Sequence, residues 1–169
     1  MEFIIRQETS ADFDSVYEVV KAAFLNAEHT DNDEQNLVIR LRNSEAFVPA
    51  LSLVATINDA IVGYIMFTKI KIKGDKEDYI SLALAPLCVS PWMQCRDIGS
   101  KLILEGHKIA KELGFKSVVL LGHPTYYPRF SYVPASQFSI TAPFDVPDEA
   151  FMACELINNG LSKVTGVVE

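Results

Sequence analysis

Residues 84–100 read Leu-Ala-Pro-Leu-Cys-Val-Ser-Pro-Trp-Met-Gln-Cys-Arg-Asp-Ile-Gly-Ser. An apolar strand ends at Val89, Pro91 breaks it, and a short loop carrying Gln94, Arg96 and Gly99 leads into a helix. The first N–H groups of a helix have no partner inside it, and the helix dipole favours an anion there. Strand, tight loop and helix start in this order predict a site for a phosphate-bearing small molecule.

Working outward, the helix runs from about Asp97 to Leu113 and stops at Gly114, a good residue for the end of a helix. Upstream, residues 51–57 and Ile61 to Ile72 read as a hairpin closed by Asn58-Asp59, and Tyr79 to Val89 follows as a third strand. Residues 2–6 read as a short strand. Thr9 or Ser10 can cap a helix that carries Phe13, Val16, Tyr17, Val20 and Phe24 on one face. After a polar break, Leu37, Val38 and Leu41 mark a second helix. Downstream come a buried strand at Ser117 to Leu121 and a short helix or turn at His123 to Arg129. A further strand is expected through Phe138, Ile140 and Ala142, and a last helix from Asp148 to Leu156. Three consecutive strands without a crossover helix disfavour a doubly wound dinucleotide fold.

At 169 residues the chain is expected to form a single domain, residues 1–169. A formal net charge of -7 argues against nucleic acid as the main partner, because phosphate contacts supply most of that affinity. An anionic ligand then needs a local basic exception, which Arg96, Lys101 and Lys108 can supply. No apolar run is long enough for a membrane span, and the N-terminus lacks signal-peptide features. Cys88, Cys95 and Cys154 are odd in number and show no metal-ligand spacing, so reduced thiols, a cytoplasmic location and no metal are expected.

The loop resembles the acetyl-CoA pyrophosphate loop of the GNAT superfamily of N-acetyltransferases, Gln/Arg-x-x-Gly-x-Gly/Ala after a strand ending in Val-x-Pro. Val89-Ser90-Pro91, Gln94, Ile98 and Gly99 match, and Asp97 stands where the first glycine is expected. Residues 122–135, Gly-His-Pro-Thr-Tyr-Tyr-Pro-Arg-Phe-Ser-Tyr-Val-Pro-Ala, resemble the Gly-Asp-Pro-x-Tyr-Tyr-x-Arg-Phe-Gly-Phe segment of the YhbS-like branch, and Phe-Asp-Val-Pro-Asp-Glu-Ala-Phe-Met at 144–152 fits it too. The resemblance covers nearly the whole chain. It implies an α/β fold of the α+β type, the GNAT fold, with a mixed, mainly antiparallel central sheet flanked by helices.

It also implies an activity. Acetyl-CoA would be the cosubstrate, with the diphosphate held by Gln94, Cys95, Arg96, Asp97, Ile98, Gly99 and Ser100. The backbone at Leu87, Cys88 and Val89 would bind the pantetheine arm and polarise the thioester carbonyl. Tyr127 is the candidate acid for the leaving thiolate, against the alternative of an aromatic packing cluster with Tyr126, Phe130 and Tyr132. The central strand carries no carboxylate over residues 79–89, so the candidate bases are His123, Glu28 and His29, or a water relay. His123 before Pro124 reads equally as a turn residue. The acceptor would be a small-molecule or protein amine. Dimers are common in the superfamily, so a homodimer is among the states implied.

Other residues carry plainer readings. Cys88 reads as a small buried hydrophobe. Lys69, Lys71 and Lys73 share one strand face and read as a solvated edge. Trp92 and Met93 either cover the adenine end of the cofactor or pack on the helix. Asp97 puts a carboxylate beside a phosphate site, which motivates a second reading: a GNAT-fold CoA-binding or interaction module with weakened or lost catalysis.

Overall fold

The computed structural model describes residues 2–27 and 30–169. The chain divides into two compact units, one comprising residues up to Thr68 with Ala85–Ile109, the other Lys69–Leu84 with Ala110–Glu169. Among the described residues there are three α-helices, α1 (Phe13–Phe24), α2 (Glu34–Arg42) and α3 (Ile98–Glu112). Nine strands accompany them: β1 (Ile4–Gln7), β2 (Phe47–Ile57), β3 (Ala60–Lys73), β4 (Asp78–Val89), β5 (Ser117–Leu121), β6 (Val133–Pro134), β7 (Ile140–Thr141), β8 (Phe151–Glu155) and β9 (Gly166–Val168).

Strand neighbours follow the order β1-β2-β3-β4-β5-β8-β6, with β9 pairing β3 and β7. The pairs β1/β2, β2/β3, β3/β9, β5/β8 and β6/β8 are antiparallel, and β4/β5 and β7/β9 are parallel. This mixed, mostly antiparallel sheet with three helices is the architecture the sequence predicts. The β2–β3 hairpin closes through Asn58 and Asp59, whose φ values of 50° and 66° suit a two-residue turn with both central residues left-handed.

In the first unit, Val16 and Val20 of α1 and Val38 of α2 join Val54, Tyr64, Met66 and Cys88 in one apolar core. Val16, Val20 and Val38 lie at the helical spacing that predicts these helices and are buried, while Phe13 at the start of the first face is exposed. A polar network fixes the end of α2. Arg42 donates to the Glu8 carboxylate, with Nε at 3.2 Å from Oε1, and Ser52 donates to the same oxygen at 2.8 Å. Glu8 and Arg42 are nearly fully buried, so each charge depends on the other.

Helix α3 lies very close to β3. A Cβ on Gly106 would sit 2.2 Å from the Phe67 ring, and one on Gly63 would press on Ile98 and Leu102 at 3.1 Å. Leu102 and Ile103 are fully buried. At the other end Gly114 takes φ 95° and the Phe115 N–H reaches the Ala110 carbonyl at 3.0 Å, the left-handed stop that the sequence predicts.

Two expectations are overturned. The helix expected over Asp148 to Leu156 is a short 3-10 turn, Asp148–Ala150, followed by β8. Met152, Ala153 and Cys154 are all buried, and β8 pairs with β5 along one edge and with β6 along the other. A strand buried on both faces loses its alternation and reads like a helix segment. The strand expected through Phe138, Ile140 and Ala142 shrinks to β7, with Ala135–Phe138 in a 3-10 turn that ends at left-handed Ser139. Smaller shifts affect the N-terminus. A 3-10 turn, Ser10–Asp12, precedes α1, and the Asp12 carboxylate accepts the Thr9 N–H at 2.8 Å.

His107 on α3 faces Phe67 with ring centroids 6.1 Å apart, and burial pushes its pKa down to about 4. An unfolded histidine titrates near about 6.5. The unfolded chain therefore takes the proton first, and stability falls as pH drops from about 6.5 to about 4, by up to about 3 kcal/mol. The thermal midpoint of the parent should fall more steeply across that window than that of His107→Gln; parallel curves would remove His107 from the account.

Candidate active site

The site starts from the end of β4. The paired register of β4 with β5 comprises Leu82↔Val118 and Ala83↔Val119, although β4 runs on to Val89. Beyond it, Leu87, Cys88 and Val89 line a cleft of about 200 Å³ together with Gln94 and with Ala23 and Phe24 at the end of α1. Four of the predicted site residues thus come together in one place. Ala23 and Phe24 carry no site signal in the sequence, where Phe24 reads only as part of a buried helix face.

The turn out of β4 is pinned by backbone. The Ser90 N–H donates to the Val62 carbonyl at 2.7 Å and the Met93 N–H to the Ser90 carbonyl at 2.8 Å. Pro91 opens a 3-10 turn, Pro91–Met93. Gln94 is exposed, its Nε2 3.4 Å from the Val89 carbonyl. Two non-glycine residues then take left-handed backbone, Cys95 at φ 65° and Asp97 at φ 66°. Asp97 adopts the conformation for which glycine is expected, as aspartate does more readily than most residues. Cys95 has no such tendency, and its role in the turn is not visible in the sequence.

The Asp97 carbonyl accepts the Lys101 N–H at 3.0 Å, which sets the start of α3. The N–H groups of Ile98, Gly99 and Ser100 therefore lie in the first turn, where a helix offers donors to an anion. The Ile98 side chain is buried and anchors this turn, while Gly99 and Ser100 are partly exposed. Arg96, Asp97, Lys101 and Lys108 are exposed. Cys88 is buried, and burial pushes its thiol up to about 12, so it stays protonated as a packing residue.

Tyr127 opens the 3-10 turn Tyr127–Phe130 in the second unit. Its ring meets Tyr126 and Tyr132 edge-on at 5.0 and 5.8 Å. Gly122 makes room for it: a Cβ there would lie 2.5 Å from the ring. Burial pushes the Tyr127 hydroxyl up to about 12. Ser131, in place of the expected glycine, takes φ 73°. His123 is exposed and its carbonyl accepts the Tyr126 N–H at 3.3 Å. Glu28 and His29 lie outside the described residues. A carboxylate that the sequence reading passes over is Glu34, at the first turn of α2. Thr30 donates to its Oε1, and among the described residues its buried Oε2 has no hydrogen-bond partner. Burial pushes its carboxyl above the usual range. Among the described residues no group of acidic, histidine or cysteine side chains could hold a metal.

Comparison with known proteins follows the same lines. The model of the Acetyltransferase (GNAT) family matches residues 13–127. The chain is 38% identical over 117 residues to the uncharacterized N-acetyltransferase YjhQ of Escherichia coli, covering 69% of this chain and 65% of that one. It is 27% identical to the uncharacterized N-acetyltransferase YhbS of the same organism, over 98% of this chain and 95% of that one. The crystal structure of E. coli YhbS in complex with CoA superposes with a TM-score of 0.89 at 28% identity, covering 100% of this chain and 89% of that one. A GNAT acetyltransferase from Brucella melitensis in complex with acetyl-CoA gives 0.80 at 28% identity, covering 99% and 94%. Loop, strand end and family match converge, and the chain belongs to the GNAT family of acetyltransferases.

Proposed function

We propose that residues 1–169 act as one acetyl-CoA-dependent N-acetyltransferase domain, in which a neutral amine attacks the thioester directly. The observation that carries this reading is the path from Val89 to Ser100: a cleft at the strand end, a left-handed turn at Cys95 and Asp97, and the first-turn N–H groups of α3. The solved relatives that match over nearly the whole chain hold CoA and acetyl-CoA. Free thiols at Cys88, Cys95 and Cys154 suit a reducing cytoplasm. The acceptor is a small-molecule or protein amine.

The chemistry needs three services. Backbone N–H groups at Leu87 to Val89 polarise the thioester carbonyl and stabilise the oxyanion as the amine nitrogen adds. A base, His123 or a water relay, removes the proton from that nitrogen. As the C–S bond breaks, the Tyr127 hydroxyl supplies a proton to the sulfur, so an amide and free CoA leave. A hydroxyl held near 12 keeps its proton throughout the working pH range. Tyr127→Phe should lower kcat roughly 100-fold with the acetyl-CoA KM little changed. An unchanged kcat would return Tyr127 to the aromatic cluster alone.

Asp97 motivates the second reading, a module that binds CoA with little turnover. Its carboxylate is exposed, so its repulsion acts through water. At about 6 Å that costs about 0.7 kcal/mol, a factor of roughly 3 in affinity. Asp97→Gly should therefore tighten CoA only a few-fold by calorimetry. A gain of about 100-fold would mean that the parent site is crippled and would favour the second reading.

The first test of the function is a thermal-shift titration with acetyl-CoA beside ATP and NAD. A ligand at 100 times its Kd adds about 2.7 kcal/mol, which raises the midpoint by roughly 5–10 °C for a domain of this size. A saturable shift with acetyl-CoA alone, followed by thiol release with an amine panel, is the expected result. No shift at millimolar acetyl-CoA would overturn the assignment.

A further inference from the structure

Trp92 is the chain's one tryptophan, and it is 85% exposed, more than any other large apolar side chain among the described residues. So little of it is covered that packing on the helix does not account for it. An indole left in water forgoes one of the largest apolar burials a side chain can make. Its backbone is nevertheless held firmly, between Pro91 and the Met93 N–H that bonds the Ser90 carbonyl. Ser90 is itself tied to β3 through the Val62 carbonyl. A hydrogen-bonded turn thus presents an exposed aromatic side chain in the loop.

The place selects the occupant. In the chain Trp92 lies between Val89, which lines the cleft, and the first turn of α3, the proposed diphosphate site, and it is not part of the cleft lining. CoA extends past its diphosphate to a ribose and a flat adenine, the one part of the ligand with a π face. We propose that Trp92 stacks on the adenine of CoA and so selects the full nucleotide cofactor over shorter pantetheine thiols. This rests on the acetyl-CoA reading above. Stacking needs no hydrogen-bond readout, so the base is gripped without any further buried polar group.

Because Trp92 is alone, the protein's own fluorescence reports on it. CoA should quench the emission saturably, whereas millimolar 4′-phosphopantetheine, which lacks the adenosine, should not. Loss of one base–aromatic stack corresponds to roughly a 5- to 100-fold loss of affinity. Trp92→Ala should weaken CoA by that factor in calorimetry, and Trp92→Phe should restore most of it. Two results overturn the inference while leaving the acetyl-CoA reading intact: CoA binding by Trp92→Ala within twofold of the parent, or equal quenching by 4′-phosphopantetheine. If the parent binds no CoA at all, the acetyl-CoA reading falls and this inference falls with it.

Discussion

The close approach of α3 to β3 is the constraint on which the site depends. Gly106 lies where any side chain would collide with the buried Phe67 ring, and Gly63 takes the other end of the contact beneath Ile98 and Leu102. Two missing side chains let the helix lie against the strand, and the apolar face of α3 is buried as a result. That docking fixes where the helix begins. Since Ser90 is bonded to Val62 on the same strand, the end of β4 and the start of α3 are both referenced to β3. The loop between them is therefore short, held at both ends, and forced through a tight turn.

Backbone geometry at two separate turns, the loop before α3 and the end of the Tyr127–Phe130 turn, explains the residues that look like departures from the family pattern. A left-handed backbone is what each turn requires, and glycine is merely the residue that adopts it at least cost. Asp97 and Ser131 both stand where glycine is expected, and both take positive φ, at 66° and 73°. Conformation is kept while side-chain identity changes. The substitution at 97 then matters only through charge, and an exposed carboxylate is heavily screened. Cys95 shows the same economy of geometry, with φ 65° and a side chain in solvent.

The legible parts of the chain were those in which local and tertiary demands agree. The faces of α1 and α2, the Asn58-Asp59 hairpin, β5 and the left-handed stop at Gly114 all follow from periodicity or turn chemistry. The loop at 89–100 was legible because strand, breaker and helix start occur in order. The C-terminal region was not. The run Phe151 to Glu155 is a strand because β5 and β6 flank it, and nothing in its local pattern announces those neighbours. Ala23 and Phe24 at the cleft were invisible for a similar reason: an apolar side chain on a helix face reads as core whether or not a ligand also touches it. Glu34 carries no signal in the sequence, and only burial distinguishes it.

On the proposed reading a chain of net charge -7 receives a polyanionic cofactor, an electrostatic problem that the loop would answer locally. Exposed charges more than about 8–10 Å away are largely screened at physiological salt. The acids elsewhere on the surface therefore weigh little against donors in direct contact. Backbone N–H groups at a helix start are fixed dipoles that need no counter-charge and lose no side-chain freedom on binding. Such recognition through main chain would also tolerate drift in the side chains, an aspartate in the turn included. Arg96 and Lys101, both exposed at the loop, would on that reading add mainly to the rate of encounter with an anion, while the geometry of the turn would set how tightly it is held.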